Sequence, residues 1–392
     1  MRQVVPLLTM GFRPFYLLAG AFAAFALPVL HFAPGDVLPS EPYLAGPAWH
    51  AHEMVFGFAA AVLTGFLLTA ARAWTGLATP TGWRLAALAG LWVAGRVLVA
   101  TGPAVPAIVV DCLFLPCVSL VIALPVLKAR NHRNLPVAAV PALLGAANLL
   151  FHLDHADLIT LARANGGALL GLDLFALLVT LMAGRVIPAF TANAVPTAKP
   201  RRNAYVEFVA FATLAILLVA GALGEWVPGG AWLVAVAALG AGTHGVRLWL
   251  WDPAATLREP LLWVLPLSYA WLPAALILRA LWLADVSVPP AAAYHALGAG
   301  AIGGLMLGMM TRSALGHTGR PLAAGRAELM AYVLVHLGAA LRVFGPLAGA
   351  EAEPHALAAS ALLWSGAFAL FLGAYWPRLT RPRIDTAPAP ES

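Results

Sequence analysis

Charge is scarce in this chain. Asp, Glu, Lys and Arg make up 10% of its 392 residues, where a soluble domain carries about 25%. So thin a supply cannot clothe a water-facing surface of that size, which excludes a set of ordinary soluble domains. Cysteine is scarcer still: Cys112 and Cys117 are the two, both inside one apolar stretch. That excludes a disulfide framework and a paired-cysteine zinc site, and both thiols read as small buried hydrophobes. No G-x-x-x-x-G-K-[ST] pattern is present, so the basic, glycine-containing stretch 311–320 reads as a turn rather than a phosphate loop. The first apolar block is too long for a cleavable signal peptide, and more such blocks follow it.

Hydrocarbon is what abounds. Residues of hydrophobic type make up 61% of the chain, and they come in blocks near the roughly 20 residues that cross a bilayer. These blocks fall at 11–33, 50–72, 83–102, 104–128, 134–155, 168–191, 204–223, 230–251, 260–282, 291–313, 326–346 and 355–377. Only Pro103 and its neighbours separate the third from the fourth. The pattern predicts an all-α, polytopic membrane protein whose partner is the lipid bilayer. A single twelve-helix transmembrane domain is expected over 1–377. The proline-bearing end, 378–392, reads as a disordered cytoplasmic tail. The net charge, 23 − 17 = +6, fits basic loops at the cytoplasmic face, and nucleic acid is not an expected partner. Of the 23 basic residues, nineteen fall at the termini and even junctions; Arg96, Arg163, Arg279 and Arg342 fall at the odd ones. Both termini are therefore expected in the cytoplasm.

Ionisable groups are costly in lipid, which makes intramembrane ones functional candidates. At the outer level lie His50, His52 and Glu53, Arg96, Asp111, His152 with Asp154 and His155, Asp173, Arg279 and His295. His336 lies mid-way along the eleventh block, with Arg342 further out. Imidazole is a common ligand of haem iron and of copper. Arginine forks pair with carboxylates such as haem propionates, which makes Arg96, Arg279 and Arg342 candidates for that role. His50 and His52 stand about 200° apart around a regular helix, so they do not share one metal there. His152 and His155 share a face, with His155 read as solvated. Gly300, Gly304 and Gly308 form a small-residue stripe suited to close helix packing. Met306, Met309 and Met310 read as core filler.

Several strings carry a family likeness. The chain opens with Gly11-Phe12-Arg13-Pro14-Phe15. The second block opens with Trp49-His50-Ala51-His52-Glu53-Met54-Val55-Phe56-Gly57-Phe58 and continues through Gly65-Phe66-Leu67-Leu68-Thr69-Ala70. The sixth ends in Gly184-Arg185-Val186-Ile187-Pro188-Ala189-Phe190-Thr191. Thr311-Arg312 and Gly316-His317-Thr318-Gly319-Arg320 follow the tenth. In this order, across almost the whole chain, they resemble the signatures of NnrS proteins. The resemblance implies a twelve-helix protein of the bacterial inner membrane that binds haem and copper and is linked to nitric oxide metabolism or nitrosative-stress resistance. It also invites comparison with the haem–copper oxidase core, where histidines of helices 2 and 10 hold a haem. His50 or His52 and His295 fall on those helices. Helices 6 and 7 show no histidine, so the three-histidine copper site of that superfamily is missing.

The leading expectation is a haem- and copper-binding protein that binds nitric oxide or limits its damage. His52 and His295 form the expected axial pair, with His50 and His152 completing a nearby copper site and Glu53 orienting a ligand histidine. Two other readings stay open. One is a redox enzyme reducing nitric oxide or a related small molecule with an electron donor. The other is a transporter of a metal, haem or small anion, which needs a midplane cavity and broken helices; Pro116, Pro188 and Pro266 bear on it.

Overall fold

The structure is a computed structural model, and it describes residues 5–32, 43–161, 163, 165–227 and 229–384. Among these residues twelve helices are long and apolar enough to cross a membrane. They are α1 (Phe12–Phe32), α2 (Gly46–Thr75), α3 (Trp83–Thr101), α4 (Ala104–Lys128), α5 (Leu135–His155) and α6 (Gly166–Ala194). The second half comprises α7 (Ala204–Leu223), α8 (Ala231–Leu250), α9 (Pro260–Leu283), α10 (Pro290–His317), α11 (Arg326–Phe344) and α12 (Glu353–Thr380). Gly102 and Pro103 end α3 and start α4, as the sequence predicts: Gly102 is extended and proline supplies no amide to continue a helix.

Two helices are not uniform. α2 is α-helical over Gly46–His52, widens to a π-helix over Glu53–Ala59, and narrows again over Ala60–Thr75. α10 repeats this, with its π segment at Ala296–Gly303 directly after His295. Such widened turns are rare and collect at functional sites. The Trp92 indole N–H donates to the Gly57 carbonyl inside the α2 segment at 3.1 Å, which ties α3 to it. These two helices are also the most enclosed: 83% of the apolar 18-residue stretch of α2 and 67% of that of α10 are buried by protein. Lipid cannot reach most of either, so their polar groups face protein.

The glycine stripe of α10 lies on α9. Gly300 abuts Trp271, Gly304 abuts Ser268 and His336, and Gly308 abuts Val264 and Leu265. The stripe is helix packing, as its spacing suggests.

Three of the sequence strings form one knot at the arginine-rich end. The Phe12 ring meets the His317 ring at 5.6 Å, and the Phe12 amide donates to Thr69 Oγ1. Arg13 Nη1 donates to the carbonyls of Leu379 at 2.9 Å and Arg381 at 2.7 Å. Gly319 turns with φ +73°, and a side chain there would strike the Ile384 carbonyl. This knot moves one expected boundary. A disordered tail was expected from 378, but α12 runs to Thr380, Arg378 pairs with Glu328 at 2.5 Å, and the Ile384 amide donates to the Thr318 carbonyl. The carbonyls taken by Arg13 hold this stretch in place. The rest of the expected tail, 385–392, lies outside the described residues.

A second polar knot joins α6 to α9. Buried Arg247 donates to both oxygens of Glu207, to the Tyr269 hydroxyl and to the Thr180 carbonyl. His244 Nδ1 meets the same hydroxyl at 2.6 Å. Arg247 reaches Thr180 only because Gly184 has no side chain: a Cβ there would collide with its guanidinium. Gly184→Ala is expected to destabilise the protein by about 1–3 kcal/mol through overpacking. Thermal denaturation in detergent checks this; an unchanged midpoint contradicts it.

Candidate functional site

The π segments bring two histidines together. His50, in the turn before the α2 π-helix, and His295, in the turn before that of α10, have ring centroids 5.8 Å apart and planes 23° apart. They lie in a cavity of about 370 Å³ walled by α1, α2, α6, α10, α11 and α12. Most of the wall is apolar, including Leu27, Met54, Phe58, Leu172, Phe175 and Trp364, and Arg342 of α11 adds a guanidinium. A mainly apolar cleft of a few hundred Å³ with a few convergent polar groups is the usual form of a cofactor site. The two imidazoles are held differently. His295 Nδ1 donates to the Ala291 carbonyl at 2.7 Å, which fixes the ring and leaves the Nε2 lone pair free to act as a ligand. His50 Nδ1 is buried with no partner. Such an unpaired polar atom is unusual in an interior and points to something missing from the protein's own donor set.

On the opposite side of α2, His52 sits in a separate, fully enclosed cluster. Its Nε2 lies 3.1 Å from Asp111 Oδ2 and 2.9 Å from Asn148 Oδ1, and its Nδ1 lies 2.9 Å from Glu53 Oε1. His152 Nε2 approaches the same Asp111 oxygen at 3.0 Å, and its Nδ1 meets the Tyr43 hydroxyl at 2.9 Å. Tyr43 lies just before α2; burial first, and then the Cys112 thiol, push its pKa up to about 12. It therefore serves His152 as a neutral phenol. Arg96 donates to Glu53 Oε1 at 2.5 Å and contacts Asp111 Oδ1. The ligand atoms of His52, Asp111 and His152 lie within 4.8 Å of one another, a spacing at which one metal ion reaches all three. Each histidine has an oxygen on its other nitrogen, as metal-ligating histidines do. With neutral imidazoles, two carboxylates and one guanidinium leave the cluster one negative charge in excess. Glu53 Oε2 has no partner. An uncompensated buried charge is costly, and a bound cation removes that cost. Gly57 makes the room: a Cβ there would lie 2.8 Å from Glu53 Oε2 and 3.0 Å from Arg96 Nη1.

The sequence-predicted residues are therefore brought together in a different grouping. His295 faces His50 rather than His52, and His152 joins His52 rather than His50. Two residues apart on one helix, His50 and His52 serve opposite sides, which the 200° angle required. Glu53 Oε1 lies against His52 Nδ1 at 2.9 Å. Of the three arginines, Arg342 alone lines the His50–His295 cavity. Arg96 is engaged by Glu53 and Asp111, and Arg279 donates to Asp173 at 2.9 Å, pinning α9 to α6. His155 is exposed on the Tyr43 carbonyl. His336 is a half-buried histidine hydrogen-bonded between Ser268 and Trp271. Asp111 was mapped as an intramembrane carboxylate without a role; Asn148 and Tyr43 carried no expectation. The signal for Asn148 was its place four residues before His152, on the same helix face.

Both ends of the molecule are thus built from the strings that carry the likeness: the knot from GFRPF and GHTGR, the two polar sites from WHAHEMVFGF and its surroundings. Residues 6–383 match the family described as NnrS protein. The chain belongs to the NnrS family. No curated protein matches it. NnrS membership over nearly the whole length, with twelve candidate spans, makes this a multi-pass membrane protein and supports the nitric oxide link that the resemblance implied. In this NnrS protein the His52–Asp111–His152 group is a buried donor set that could hold a metal ion.

Proposed function

We propose that this NnrS protein is a haem- and copper-binding protein of the bacterial inner membrane that acts in nitric oxide response or nitrosative-stress resistance, with both termini in the cytoplasm. The observation that carries it is the pair of separate donor sets flanking the start of α2. His295 and His50 would hold the haem in the cavity, and Arg342 is the lining cation that would pair with its carboxylates. His52, His152 and Asp111 hold copper, with Glu53 and Tyr43 fixing the imidazoles and Arg96 balancing the carboxylates. When bound, haem would supply an iron that takes nitric oxide as a ligand in place of the less firmly held His50 imidazole. The residues orient the groups and exclude water: His295 is anchored through Ala291, and the apolar wall of α6 and α12 keeps the cavity in a low dielectric. The closeness of the two sites across one helix also favours a second reading, redox chemistry on a small oxide using both groups and an electron donor.

The test is an absorption spectrum with metal analysis on purified protein. Wild type is expected to show a Soret band and copper. His52→Ala is expected to lose copper while keeping the Soret band. Absence of haem on extraction from wild type ends the reading, and loss of both groups together in His52→Ala ends the assignment of separate sites.

A further inference from the structure

Next to the His50–His295 cavity lies a second, smaller and partly open one of about 100 Å³, bounded by α1, α2, α6, α9 and α10. Its wall is hydrocarbon and thioether: Leu63, Phe66, Val179, Met182, Met306 and Met309 supply much of it. The single hydroxyl in the wall, that of Tyr16, is engaged by Ser313 Oγ at 3.2 Å. Water needs two to four polar partners to occupy a cavity, and apolar cavities of this order stay dry and take up xenon or small hydrocarbons. Ions are excluded by the same absence of partners, and haem-sized molecules by volume. Phe175 of α6 and Ile302 of the α10 π segment line both cavities, so the two spaces meet at these two side chains.

We propose that this dry cavity is a docking site for small uncharged gas molecules and supplies them to the His50–His295 cavity through the passage at Phe175 and Ile302. Diatomic gases dissolve better in hydrocarbon than in water, so an apolar, partly open pocket that shares Phe175 and Ile302 with the histidine cavity concentrates them next to the imidazoles. The methionines that the sequence offers as filler then have a use: flexible thioether side chains yield to a small guest without leaving a rigid void. The inference rests on the haem reading for what the gas meets, but the chamber itself does not.

The experiment has two arms. Purified wild-type protein pressurised with xenon is expected to show the gas among Leu63, Val179 and Met306; absence of xenon there at saturating pressure overturns the proposal. Ala183→Phe fills the chamber from its wall, away from the histidines. It is expected to leave the absorption spectrum unchanged and to slow nitric oxide association several-fold after flash photolysis, and Val179→Phe repeats the test from the next turn of α6. Wild-type association rates in both variants overturn the passage. If the haem reading fails, no Soret band appears in any sample, and the xenon arm decides the chamber alone.

Discussion

His295→Ala is expected to lower the haem content of the purified protein by about ten-fold or more, a loss at or above the range seen when even an outer partner of a metal ligand is removed. The reason is the asymmetry of the pair. His295 is tied to the Ala291 carbonyl and set at the entrance of a π segment in one of the two best-enclosed helices. His50 has no hydrogen bond on Nδ1, so its ring is held less firmly. His50→Ala is therefore expected to shift the Soret band and lose less haem. His336→Ala, which removes a ring satisfied by Ser268 and Trp271, is expected to leave the spectrum alone. A full Soret band in His295→Ala sinks the assignment of that residue.

Arg96→Met is expected to destabilise chelator-treated protein by about 3–5 kcal/mol, the usual cost of breaking a buried ion pair from one side. Glu53 and Asp111 are both buried, and Arg96 is the guanidinium between them. Without it two carboxylates share a dry site. Added Cu(I) is expected to recover part of the loss in thermal midpoint, because the cation takes over the compensating charge. Arg96→Met/Asp111→Asn, which removes one of the two charges, is expected to recover part of it without metal. A midpoint equal to wild type in the single variant, with metal removed, contradicts this description of the cluster.

The helices were legible because each needs its own run of apolar residues, and Pro103 or a cluster of basic residues marks most breaks. The level of the histidines followed from the same count. Their pairing was not legible. A regular helix separates His50 from His52 by angle alone; which side each serves depends on how α2 sits among α4, α5 and α10, and on the π turn that begins at Glu53. No periodicity announces that turn. Arg96 and Arg279 look alike in the sequence as outward cations, yet Arg96 pairs with Asp111 of the next helix and with Glu53 of the helix before, while Arg279 pairs with Asp173, more than a hundred residues away. The C-terminal boundary was misjudged for a similar reason. The prolines and arginines after Trp376 read as loose chain, but Arg13, more than three hundred residues earlier, takes the carbonyls that hold it.

The most direct test of the central claim is electron paramagnetic resonance of the oxidised, purified protein carrying 15N-labelled histidine, with nitrogen couplings resolved by pulsed methods. If His50 and His295 grip one haem, wild type gives a low-spin ferric signal coupled to two imidazole nitrogens, and His50→Ala reduces these to one. A wild-type signal from haem with a single histidine, or one that His50→Ala and His295→Ala both leave untouched, contradicts it.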